Sequence, residues 1–218
     1  MCIMFRRIFR SARVLGACGL LISLTSVAGA QVGKSVSVND ANSATEKELL
    51  AVPNLTPALV KQVLEKRPFT SITQLNGILS PSLSAEQLTA VYGKIFVHVN
   101  LNSATKEEIL LIPGTGNRML HEFEEYRPYK ALAVFHREIA KYVKPDELAR
   151  LEQYVFVPVN LNTASDEDIL SIPGVGQKML HEFKEYRPYK GIEQFRREIG
   201  KYVSKAEVAR MERFVTVN

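Results

Sequence analysis

The chain has no tryptophan, two cysteines and four histidines. Both cysteines, Cys2 and Cys18, stand in a first stretch that reads as a removable leader. Without that leader no disulfide, thiolate ligand or thiol nucleophile is available. The histidines do not cluster. His121 and His181 each open a His-Glu-Phe run, but a zinc-protease helix needs a second histidine four residues on, and Glu125 and Glu185 stand there. A solvated helix face accounts for both. There is no Gly-x-Ser-x-Gly elbow and no phosphate-loop motif. The sequence therefore offers no catalytic constellation and no cofactor site, and a non-enzymatic, binding role is expected.

Acidic residues are missing altogether before Asp40. Residues 1–30 instead carry Arg6, Arg7, Arg10 and Arg13, an apolar run from Val14 to Val27, and Ala28-Gly29-Ala30. That is the order of a secretory signal peptide, with cleavage expected after Ala30 and an exported, periplasmic or secreted product. The acid-free start would also suit an organellar transit peptide; the small-residue cleavage site and compact apolar core favour secretion. The Arg6-Arg7 pair leaves the twin-arginine and general routes both open. Leu15-Gly16-Ala17-Cys18 faintly resembles a lipobox, but most of the apolar run lies after Cys18 rather than before it, so lipidation is not expected. Kept uncleaved, the run would be a marginal single anchor, since a span usually needs ~20 apolar residues; no membrane insertion is expected after signal removal.

Excess positive charge is also missing from the rest of the chain. The 28 basic and 23 acidic residues give +5, but the leader holds four of the arginines and no acid. Residues 31–218 carry 24 basic against 23 acidic residues, near +1. Non-specific nucleic-acid binding depends on neutralising phosphates, so any such site must concentrate its cations locally.

What is present is repetition. Asn42, Asn102 and Asn162 mark one place in three copies, as do Pro53, Pro113 and Pro173, and the pairs Arg67-Pro68, Arg127-Pro128 and Arg187-Pro188. The second and third copies match at 36 of 60 positions without a gap, so they share one fold. The division expected is residues 1–30 as signal, 31–98 as a degenerate first unit, 99–158 as the second and 159–218 as the third. The fold class is all-α, with about four short helices per unit.

Helix one of each unit opens on a capping box: Thr45 with Glu48, Thr105 with Glu108, Ser165 with Asp168. Ile109, Leu110 and Ile112 make its buried side in the second copy. Helix two is expected from about Asn117 to Arg127, with Met119, Leu120, Phe123 and Tyr126 at helical spacing, and it stops before Pro128. Helix three carries Leu132, Phe135 and Ile139. Helix four starts at Pro145, at Ser84 with Gln87, and at Ser204 with Glu207, and carries Leu148, Leu151 and Val155. The apolar joints Ile95–Asn100 and Val155–Asn160 lack glycine, serine runs and charge blocks. They read as short extended segments holding neighbouring units in a row.

Between helices one and two lies Ile112-Pro113-Gly114-Thr115-Gly116-Asn117-Arg118, and again Ile172-Pro173-Gly174-Val175-Gly176-Gln177-Lys178. Paired glycines allow a tight turn and leave the first amides of the next helix unpaired at its positive end, a ready anion site. Arg118 and Lys178 add charge. The first copy reads Val52-Pro53-Asn54-Leu55-Thr56-Pro57. It has lost both glycines, and Pro57 removes an amide, so no phosphate site is expected there; Asn54 could still turn left-handed.

The asparagine-rich lead-in, the Pro-Gly-x-Gly hairpin and the Arg-Pro-Tyr/Phe ending resemble the helix-hairpin-helix proteins of the ComEA-like competence class, over nearly all of the chain after residue 35. The resemblance implies that hairpin amides grip DNA phosphates, duplex or single-stranded, without reading bases, and that exported members bind incoming DNA. The residues implied are Gly114, Thr115, Gly116, Asn117 and Arg118, with Gly174, Val175, Gly176, Gln177 and Lys178. Some DNA glycosylases also use this hairpin, but with a dedicated catalytic lysine or aspartate in a larger pocket-bearing domain, which is not expected of residues this repetitive. The extrinsic U subunit of photosystem II is similar in fold and does not work by gripping DNA. A structural module with a periplasmic protein partner is therefore the alternative. Two further features stay open to both: tyrosines such as Tyr126, Tyr129, Tyr186 and Tyr189, able to stack on bases or seal a core, and the cations Arg196, Arg197, Lys190 and Lys201, able to bind phosphate or to pair with neighbouring acids.

Overall fold

The computed structural model describes residues 37–217. The expected leader with its cleavage point, Cys2, Cys18 and the last residue lie outside the described residues. Within them the protein is mostly helical, with twelve short helices and six two-residue strands. None of these helices is long and apolar enough to cross a membrane.

The order runs β1 (Asn39–Asp40), α1 (Glu46–Leu50), α2 (Pro57–Lys66), α3 (Ile72–Leu79), α4 (Ala85–Tyr92) and β2 (Ile95–Phe96). It continues with β3 (Val99–Asn100), α5 (Lys106–Leu110), α6 (Asn117–Glu125), α7 (Leu132–Ile139), α8 (Pro145–Glu152) and β4 (Val155–Phe156). Last come β5 (Val159–Asn160), α9 (Asp166–Leu170), α10 (Gln177–Glu185), α11 (Ile192–Ile199), α12 (Lys205–Glu212) and β6 (Val215–Thr216). The six two-residue strands are an addition to the expected helices. β1 pairs with β2, β3 with β4 and β5 with β6, each in parallel. Every ladder thus ties the segment before four helices to the segment after them, and the extended joints are paired rather than merely extended.

Side chains close the same frame. Asn42 donates from Nδ2 to the Phe69 carbonyl at 3.0 Å and accepts the Phe69 amide at 2.7 Å. Asn102 does the same with Tyr129, and Asn162 with Tyr189. The arginine two residues before Tyr129 is used locally: Arg127 donates to the carbonyls of Leu101 and Ala104, and Arg187 donates to that of Ala164. These arginines hold the lead-in and are not free for a ligand.

The caps explain where the helices start. The boxes at Thr45, Ser84, Thr105 and Ser165 are closed in both directions. At Ser204 only half forms, because Glu207 turns its carboxylate to Arg210 instead. α6 stops at Glu125, with Tyr126 as cap, two residues short of expectation; Arg127 must leave the helix to precede Pro128. Leu110 is 42 % exposed, not buried, because Ile109 takes the inward side of a five-residue helix and Ile112 follows in the turn beyond it. Val155 belongs to β4 rather than to helix four. The buried residues fall into two clusters: one runs from Val38 to Val157 and so spans the first eight helices, and the other from Phe156 to Val215.

Candidate nucleic-acid interface

Each hairpin is one turn leading directly into a helix. The amide of Thr115 donates to Ile112 O at 3.0 Å, and that of Val175 to Ile172 O at 3.0 Å. With proline second and a left-handed third residue, Gly114 at φ 76° and Gly174 at φ 78°, this has the pattern of a type II turn. The first hairpin makes the same turn through Asn54 at φ 71°, closed by Leu55 N to Val52 O at 3.2 Å. Loss of that glycine therefore did not cost the first copy its turn.

This geometry corrects part of the expected donor set. The Thr115 and Val175 amides are consumed by the turn, and their side chains are buried. The Thr115 hydroxyl sits in the core without a hydrogen-bond partner, at the position valine takes in the third copy. Neither amide is left for another acceptor.

The second glycine behaves differently from the first. Gly116 has φ −110° and ψ −178°, and Gly176 has φ −109° and ψ −177°. These are extended conformations open to any residue. A Cβ added at either would meet no atom within 4 Å. Neither the turn nor the packing explains glycine here. Both residues are N-caps without a side-chain cap hydrogen bond. The first helical bonds are Leu120 N to Gly116 O and Leu180 N to Gly176 O, so the first-turn amides ahead of Leu120 and Leu180 have no acceptor among the described residues. In the first copy Thr56 caps α2 through Leu59 N, and Pro57 takes the place of the next donor. The N-terminal end open in α6 and α10 is closed in α2.

Gly114, Gly116, Asn117 and Arg118 are exposed, as are Gly174, Gly176, Gln177 and Lys178. Arg118 and Lys178 enter none of the ion pairs among the described residues, whereas the cations at the other end of the third copy do. Arg196 pairs with Glu193 and Glu212, and Arg197 and Lys201 with Glu198. Lys184 pairs with Asp166. That face is a salt-paired surface. Tyr129 and Tyr189 are buried, the former bonding its hydroxyl to Phe123 O at 3.1 Å. The hydroxyls of Tyr126 and Tyr142, and of Tyr186 and Tyr202, bond each other. The buried pair seals the core, and the outer pairs are spent on each other.

An arginine of helix four lies under each turn, and nothing in its local sequence singles it out. Arg210 Nη1 donates to Pro173 O at 2.6 Å, and its Nε and Nη2 hold Glu207. Arg150 holds Glu147 in the same way, at 2.7 and 2.6 Å. Hydrogen bonding from Arg150 keeps the Glu147 carboxyl below its ordinary range. The signal available was an internal one: the first copy, which lacks both hairpin glycines, has Ala90 at this position.

No group of acidic, histidine or cysteine side chains able to hold a metal occurs among the described residues. No family model, curated protein or solved structure matches the chain.

Proposed function

We propose that the chain is an exported, non-enzymatic protein of three tandem helix-hairpin-helix units, two of which hold the nucleic-acid backbone. The carrying observation is the pair Gly116 and Gly176. Glycine stands at both N-caps although backbone and space would admit a better capping residue. What glycine leaves in place is a bare run of amides beside an unpaired cation, open to close approach from solvent. The amides of Gly116, Asn117 and Arg118, and of Gly176, Gln177 and Lys178, donate to phosphate oxygens; Arg118 and Lys178 supply the charge. Contacts to phosphate position a protein without specifying bases, so sequence goes unread. Export and the resemblance to the ComEA-like class suggest DNA uptake as the setting.

Two hairpins neutralising one or two phosphates each give a slope of log affinity against log salt of about −2 to −4, with micromolar or weaker binding at physiological salt. The test is an anisotropy titration of the chain with duplex and single-stranded DNA of several sequences at several salt concentrations. Sequence-independent binding with that slope supports the proposal; no binding at low salt refutes it. A protein-interaction module in the same compartment is the second reading. It is favoured by the salt-paired cations of the third copy and by the capped first hairpin, and it is the one that absence of binding leaves standing.

A further inference from the structure

Arg210 is 2 % exposed, so it cannot itself reach a phosphate in solution. Its guanidinium is nonetheless placed with care: one nitrogen on the Pro173 carbonyl, two on Glu207, and the plane against Gly174, where an added Cβ would lie 2.8 Å from Nη2. Arg150 occupies the equivalent place, its Nη2 3.3 Å from a Cβ added at Gly114. The first copy has lost this arginine together with the Gly-x-Gly hairpin. Glutamate neutralises each guanidinium, so what the arginine supplies is geometry. Amides that must converge on one anion need a turn fixed to within a fraction of an ångström, and the planar fork of arginine can hold a carbonyl and a carboxylate at once, which lysine cannot.

We propose that Arg150 and Arg210 are positioning residues that set the hairpins for phosphate binding, an inference that rests on the function proposed for those hairpins. Arg210 holds the Pro173 carbonyl and lies against Gly174, Arg150 lies against Gly114, and the free amides over them keep their aim without cost at the moment of binding.

The test uses the full chain and the variants R210M, R210K and E207Q, with DNA affinity measured against salt. R210M is expected to bind about tenfold more weakly, equivalent to about 1.4 kcal/mol, with the parent's salt slope, because no phosphate contact is lost; R210K does not restore affinity. E207Q is expected to weaken binding, since it loosens the arginine. Were the guanidinium acting by charge, E207Q would bind more tightly and R210M would lower the slope by about 1. Either result, or an R210M that binds like the parent, overturns the proposal. Amide hydrogen exchange at Val175, whose N–H closes the turn, gives a reading independent of DNA. It should accelerate in R210M while Phe183 in α10 does not. If the parent binds no DNA, the proposed function falls, and unchanged Val175 exchange overturns the brace separately. If circular dichroism shows R210M unfolded, R150M carries the same measurements with Thr115 as the reporting amide, since the Arg150 side chain is 30 % exposed and less central to the core.

Discussion

Asn102 and Tyr129 hold each other like two paired strands, Nδ2 donating to the Tyr129 carbonyl at 2.8 Å and Oδ1 accepting the Tyr129 amide at 2.6 Å. One side chain thus satisfies the backbone where the chain leaves α6 at Arg127-Pro128 and ties it to the lead-in after β3. Truncating Asn102 to alanine removes both bonds and leaves a half-buried donor and acceptor unmet. We expect a loss of about 2 kcal/mol, read as a lower urea midpoint at unchanged m, and a similar loss for Asn162→Ala. Midpoints matching the parent would show that water replaces the amide fully.

A second prediction concerns acid. Asp40 and His98 form a buried pair at 2.9 Å, each side chain 2 % exposed. Burial pushes the Asp40 carboxyl up, but the His98 hydrogen bond and charge, the Asn42 amide and the Arg213 charge together outweigh it and hold the pKa below its ordinary value. Arg67 faces the same carboxylate. A depressed carboxylate stabilises the fold above its unfolded pKa of about 3.9, and that contribution is lost as pH falls through the folded value. The urea midpoint should therefore drop on acidification below about pH 4, and by less in Asp40→Asn. An equal drop in both would place acid sensitivity elsewhere.

The contrast between paired and unpaired cations makes a third. Replacing Arg118 or Lys178 with glutamine should reduce the salt slope of DNA binding by about 1 each. Replacing Arg197, which is already engaged by Glu198, should leave the slope within error. A slope that responds to Arg197 and not to Lys178 would move the interface to the α11 face.

Much of the fold was legible in the residues, and the parts that were not have physical causes. Capping boxes and first-turn prolines announce helix starts through local chemistry, and most formed as expected. The ladders were invisible because a two-residue strand has no periodicity of its own, and its partner lies four helices away. Leu110 was misplaced because apolar spacing in a five-residue helix cannot say which of two adjacent residues faces in. At the hairpins the sequence shows two glycines but not that they differ. Gly114 sits at a left-handed position that Asn54 also takes in the first copy, and there the guanidinium of Arg150 crowds any side chain, whereas Gly116 is required by nothing in the fold. Arg150 and Arg210 could have been found only by noticing that arginine and hairpin glycines are lost together in the first copy.

Serine is a better N-cap than glycine, and the first copy shows a hydroxyl in that role at Thr56. The double variant Gly116→Ser, Gly176→Ser should therefore unfold at a urea midpoint equal to or above the parent's, since each hydroxyl now accepts a first-turn amide. The same change should cut DNA affinity by about tenfold or more, because those amides and the space before them are what the phosphate uses. Undiminished binding by this equally stable double variant would contradict the account at its centre.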